Sequence, residues 1–258
     1  MEHTDVPLYP NEGKQLTREE VRVIVAEAHV WQKRADLRRA DLSKTNLIGA
    51  DLCEADLCEA DLEGANLSGT RLDNAILLHA VLEGANMQGA QLRGALLRGA
   101  NLYRADLQPA DLREALLHGA NLMSANLCDA NLMEANFRWA NLQGALLKRA
   151  NLKEASLRWA DLSWANLQEA DISDTHLEGA NLERADLRKA VMRGTYLSEA
   201  NLRGALLPLS FRERLSQYFH FYPGLEGAEV GDGEGFLKEV IGKLLLLFHL
   251  TNGGSIMR

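Results

Sequence analysis

The chain has little of what most active sites are built from. Its three cysteines, Cys53, Cys58 and Cys128, are odd in number and lack zinc-ligand spacing. They read as reduced surface thiols, and neither a disulfide framework nor a metal centre is expected. Within the repetitive part of the chain only His79, His118 and His176 occur. They lie far apart, and no Ser/His/Asp set accompanies them. No phosphate-cradling glycine loop is present, and no cofactor is implied. The net charge of -8 argues against direct nucleic-acid binding through phosphates. The most apolar run, Leu244-Leu245-Leu246-Leu247-Phe248, is too short to span a bilayer and follows Lys238, Glu239 and Lys243, so no membrane partner is expected. The acidic start Met1-Glu2-His3-Thr4-Asp5 has no apolar signal region, which predicts a cytoplasmic protein.

What the chain has instead is rhythm. From Ala35 to Leu207 one five-residue phrase returns 35 times without insertion: small residue, Asp or Asn, Leu, then two variable positions. The centre is Leu at every step except Met87, Phe137, Ile172 and Met192. The small position is Ala except at Thr45, Thr70, Thr175 and Thr195. This run carries 18 of the basic and 24 of the acidic residues; the flanks nearly cancel.

Neither regular secondary structure suits this period. Five residues advance a helix by about 500°, which scatters the leucines over all sides. In a strand an odd period sends successive leucines to opposite faces. The remaining solution is a chain that bends once per repeat and turns its small residue and its Leu inward. Every glycine of the run falls in one phase, two after the central Leu, from Gly49 to Gly204. A type II turn needs positive φ at that place, and glycine adopts it without steric cost. Pro109 occupies the same phase with a φ locked negative, so a local departure is expected at Gln108-Pro109.

Thirty-five copies of A-(D/N)-L-x-x over about two-thirds of the chain resemble the pentapeptide-repeat family. The resemblance implies an all-β solenoid: a right-handed quadrilateral β-helix with four repeats per coil and about nine coils. The Asp and Asn before each Leu, which could pass for paired carboxylates, are then expected to form hydrogen-bonded ladders along the wall.

The flanks read as helical caps on this rod. Residues 1–34 form an irregular lead-in followed by an amphipathic helix, roughly Arg18 to Lys33, opened by the capping box Thr17-Arg18-Glu19-Glu20. Its apolar face is Val21, Ile24, Val25, Ala28 and Trp31. Residues 35–207 form the solenoid. Residues 208–258 hold an aromatic helix ending at Pro223, which plugs the other end of the rod, then a glycine-rich loop and a last helix near Phe236–Leu250, which packs under the aromatic helix or pairs two copies as a homodimer.

A stacked Leu and Ala interior leaves no room for a substrate, so function belongs on the outer surface and no catalytic residue is assigned. With twenty residues per coil, Arg98, His118, Arg138 and Arg158 form one column beside Trp139 and Trp159, with Ile76, Leu96 and Leu116 adjoining. This side alone combines an aromatic pair, a basic ladder and an apolar stripe, the composition of binding hot spots. A second side, Arg93, Arg113, Met133, Lys153, Ser173 and Arg193 beside Glu114, Glu134, Glu154 and Asp174, reads as an exposed ion-pair ladder. The leading expectation is a non-catalytic scaffold or adaptor that binds a protein partner of unknown identity. The alternative, which some members of the resembled family exemplify, is a DNA mimic protecting a type II topoisomerase such as DNA gyrase.

Overall fold

The bend once per repeat has a backbone cost, and the structure meets it amide by amide. The computed structural model describes residues 11–209. One repeat stands for the rest. Ala65 N–H donates to the Leu62 carbonyl at 3.0 Å and closes the turn. Asn66 N–H donates back to Thr45 in the previous coil at 3.0 Å, while Leu67 N–H donates forward to Asn86 at 2.6 Å. Ser68 N–H donates to the Asn66 side chain at 3.2 Å. Gly69 N–H donates forward to Gln88 at 2.8 Å. All five donors are satisfied, as a chain with a buried core requires.

This pattern builds a four-sided coil of twenty residues. Parallel bridges join each Asp/Asn position to the one twenty residues on, from Asp36↔Asp56 to Asp186↔Leu206. Each bridge is a single residue, because only a short extended piece fits between successive turns. The expected side-chain ladders occur in places, such as Asn121 to Asn101 at 2.9 Å and Asn201 to Asn181 at 2.9 Å. The commoner role of these residues was not anticipated. Their carboxylate or amide oxygen accepts the amide two residues on, an Asx turn that staples each corner.

Corners are less selective than the glycine pattern implied. Every residue of the corner phase from Arg39 to Gly204 has φ between 54° and 69°, with Pro109 the one exception. Twenty-one of them are not glycine. A left-handed L-residue costs roughly 1–2 kcal/mol, and the hydrogen bonds made at each corner must offset it. At Pro109 the expected departure is present. No amide is available there, and Ala110 N–H lies 2.6 Å from Leu107, against 3.0 Å at Ala105 and 3.1 Å at Ala115.

The interior is the column of central residues and inward alanines, almost all without solvent contact, and it includes Met87, Phe137 and Ile172. Inward threonines keep their hydroxyls satisfied: Thr70 donates to the Leu47 carbonyl and Thr175 to Leu152, both at 2.8 Å.

Helix α1 runs Arg18–Val30, and both halves of its capping box form between Thr17 and Glu20. It stops three residues short of the expected end. Val21 is buried, and Ile24, Val25 and Ala28 pack against the core. Trp31 does not join them: as the residue just past the helix it is 71% exposed. The lead-in is also more regular than expected. Gln15 bridges Asp41, Leu16 N–H donates to the Asp41 carbonyl at 2.9 Å, and Leu16 is buried. Lys14-Gln15-Leu16 thus acts as an out-of-phase repeat, which α1 separates from the array. The C-terminal helices and the homodimer expected from them lie outside the described residues.

Two measurements probe this architecture. Phe137→Ala empties the largest interior side chain and should cost about 3–5 kcal/mol, read as a lower denaturant midpoint. Asp186, held by Arg188, Gln168 and the Arg188 amide, has its carboxyl lowered to about 2. A carboxylate depressed on folding stabilises the fold above its ordinary range near 3.8 and loses that contribution as pH falls towards 2. Asp186→Asn should therefore weaken the pH dependence of thermal unfolding in that window; an unchanged acid limb would refute the assignment.

Candidate binding face

The side that follows the corner column Glu114, Glu134, Glu154 is built from two columns. One is the bridged series Asp56, Ile76, Leu96, Leu116, Asn136, Ser156, His176, Tyr196. The other is Cys58, Leu78, Arg98, His118, Arg138, Arg158, Glu178, two residues further along each repeat. The next corner carries Trp139 and Trp159. The anticipated residues therefore share one side and its edge. Ile76, Leu96, His118 and Arg158 are half-buried, Arg98 and Arg138 are exposed, and Leu116 is 43% exposed.

The two tryptophans stack with ring centroids 5.6 Å apart and planes 11° from parallel. They remain 56% and 44% exposed. Corner side chains lean towards the following coil, so the Trp159 ring lies over Gly179 and a Cβ there would overlap it. On the other flank Gly119 opens the corner: a Cβ there would meet nothing within 4 Å. Further along, His176 stacks on Tyr196 at 4.5 Å.

The basic ladder is shorter than its sequence. Arg158 turns to Glu178 in the next coil at 2.9 Å and lies 3.1 Å from His176 Nδ1. Burial raises the Glu178 carboxyl, but hydrogen bonds from Arg158, its own backbone and His176 outweigh it, and the net shift is downward. Arg98 and Arg138 have no ion-pair partner among the described residues. The second side is an ion-pair ladder only in part. Arg93 reaches Glu114 at 2.7 Å, whereas Arg113 folds back on Asp111 in its own repeat at 2.6 Å.

Two features were missed. Trp164, one corner further on, is 57% exposed with the Arg184 guanidinium 4.5 Å from its ring centre. Its place one repeat after Trp159 was visible in the sequence. The second is a loss of Asx staples. Ile76, Leu96, Leu116, Ser156, His176 and Tyr196 all break the Asp/Asn rule on this side. On the adjoining side beyond the Trp139 corner, Asp41 to Asn201, Val81 alone does.

The remaining chemistry is sparse. The three cysteines are free, and burial together with Asp51 pushes the Cys53 thiol up to about 11, far from a reactive thiolate. Among the described residues there is no cluster of metal-ligating side chains.

A family model for pentapeptide repeats matches residues 35–74, 60–99, 100–130, 130–168 and 165–204. Among solved structures the chain is similar to HetL, a pentapeptide repeat protein involved in heterocyst differentiation regulation from the cyanobacterium Nostoc sp. strain PCC 7120. The identity is 33% over 71% of this chain and 96% of that one, with a TM-score of 0.32. A second Nostoc PCC 7120 pentapeptide repeat protein is 40% identical over 39% of this chain and 79% of its own, at TM-score 0.35. QnrB1, a plasmid-mediated fluoroquinolone resistance protein, is 18% identical over 70% of this chain and 93% of its own, at TM-score 0.42. Comparison with curated proteins finds no match.

The corner geometry makes a paired prediction. Gly179→Ala should displace Trp159 and reduce the circular-dichroism couplet of the stacked indoles. Gly119→Ala, at a corner of nearly the same φ with open space, should leave that signal intact. Equal effects of the two would contradict the described stack.

Proposed function

Because the chain belongs to the pentapeptide-repeat family, whose members form right-handed β-helices, we propose that it is a non-catalytic scaffold. It binds a protein partner through the side bearing Arg98, Leu116, Arg138, Trp139 and Trp159. The observation that carries this reading is the stacked Trp139–Trp159 pair, which keeps about half of each ring in water. Large aromatic surface left exposed on a well-packed rod is the kind of area that dominates binding energy when covered. The missing Asx staples on the same side support it. Apolar residues stand there where the repeat rule calls for Asp or Asn, a local stability cost of the sort found at functional sites.

A second reading, protection of a type II topoisomerase by DNA mimicry, draws on a different side. Between Asp41 and Glu183 that side carries Asp41, Asp61, Glu63, Glu83, Asp161 and Glu183 with no Lys or Arg in its two columns. Val81, Tyr103 and Met123 interrupt the negative surface, and Lys44, Arg104 and Arg184 border it.

The two readings separate experimentally. Trp139→Ala/Trp159→Ala should lower capture of the native partner by a factor on the order of thirty or more, the effect of losing a hot spot of about 2 kcal/mol, while β-helical circular dichroism persists. Undiminished capture by the folded double variant would discard this face. Gyrase supercoiling, with and without a quinolone, tests the second reading: no effect at high protein excess removes it.

A further inference from the structure

Resting on the proposed binding face, we infer the chemistry of its partner: an acidic, extended protein segment that also carries a large apolar side chain. The argument is one of charge accounting. Most guanidinium groups on this rod are already engaged: Arg71 with Asp51, Arg93 with Glu114, Arg113 with Asp111, Arg149 with Asp129, Arg158 with Glu178 and Arg188 with Asp186. Arg98 and Arg138 are not, and they stand in one column, two coils apart. At the spacing of parallel strands that is about 10 Å, which an extended chain covers in three residues.

Nothing of opposite charge lies between them. Across the two columns of this side, no Asp or Glu occurs between Asp56 and Glu178. The bordering corner is acidic at Glu114, Glu134 and Glu154. Glu114 is taken by Arg93. This rim repels carboxylates at the edge and leaves the arginine column as their only favourable place on this side. Guanidinium groups pair well with carboxylates, because their planar fork of N–H donors matches the two carboxylate oxygens.

The apolar requirement comes from the same geometry. Leu96 and Leu116 fill the positions beside Arg98 and His118. At the far edge Gly119 makes a gap in the corner column next to Trp139, open enough that an added Cβ would touch nothing. A partner side chain entering that gap stands in the same repeat as Leu116 and one coil before Trp139 in the corner column. A nucleic acid fits less well: on this side Arg158 is taken by Glu178, the two arginines left are few contacts for a polyanion, and the chain carries a net charge of -8.

The probe is a short fluorescein-labelled peptide with glutamate at every third position and leucine and tryptophan between, read by fluorescence anisotropy against the full chain. Its matched control replaces each glutamate by lysine. The acidic peptide should bind and the lysine peptide should not. Arg98→Gln/Arg138→Gln should weaken binding by about tenfold or more, the usual scale for losing hydrogen bonds to charged groups. Gly119→Glu should also abolish binding. Glutamate already occupies this corner phase at positions such as Glu134 and Glu154, so the variant is expected to fold.

Equal binding of the two peptides, or undiminished binding by the arginine double variant, overturns the inference. So does duplex DNA that binds with the same arginine dependence. Failure here is distinguishable from failure of the face itself. If Trp139→Ala/Trp159→Ala abolishes capture of the native partner while Arg98→Gln/Arg138→Gln does not, the face stands and the acidic partner falls. If neither does, the face falls too.

Discussion

Everything in this molecule depends on giving each backbone amide a partner while the chain turns every five residues. Two amides in each repeat reach the next coil, one reaches back, one closes the turn, and one is met by the Asp or Asn side chain. The last is the weak member, because it alone relies on a side chain. Replacing that side chain loses one staple and leaves the coil otherwise intact. Backbone bonds are thus indifferent to sequence, and the outer surface is free to vary, with the Asp/Asn position as the one outward place where variation costs something.

That asymmetry explains why the unusual residues cluster. The core is filled to exclusion by leucine and alanine, with Thr70 and Thr175 tolerated only because a carbonyl in the previous coil accepts their hydroxyls. No chemistry can be housed there. The outer side that gives up most of its staples is also the side that presents stacked tryptophans and unpaired arginines. Corners contribute because the left-handed backbone projects their side chains clear of the wall. A tryptophan there reaches the next coil, and a glycine there leaves a gap.

Much of the fold was legible at the level of the repeat. The inward columns, the departure at Pro109 and the capping box at Thr17 all follow from local rules of sterics and hydrogen bonding. What was misjudged involved competition between local and long-range terms. Glycine marks the corner phase because it adopts positive φ without steric cost, yet Glu, Arg and Trp hold the same φ there, since each corner amide also bonds the next coil. Leu16 was passed over because α1 puts it out of phase, although its backbone pairs like any other repeat. Trp31 fits the helical pattern but lies beyond the last turn.

By itself the sequence determined the period, the identity of the inward positions and the number of residues per repeat, because steric and hydrophobic patterning act within a few residues. It also placed Arg98, Arg138, Trp139 and Trp159 on one side once a coil length was assumed. Only the tertiary structure decided which charges remain. Arg158 is spent on Glu178 and Arg113 on Asp111, while Arg98 and Arg138 stay unpaired. Those outcomes turn on which of two nearby carboxylates each side chain reaches, one in the next coil for Arg158 and one in its own repeat for Arg113, a choice that no linear spacing encodes.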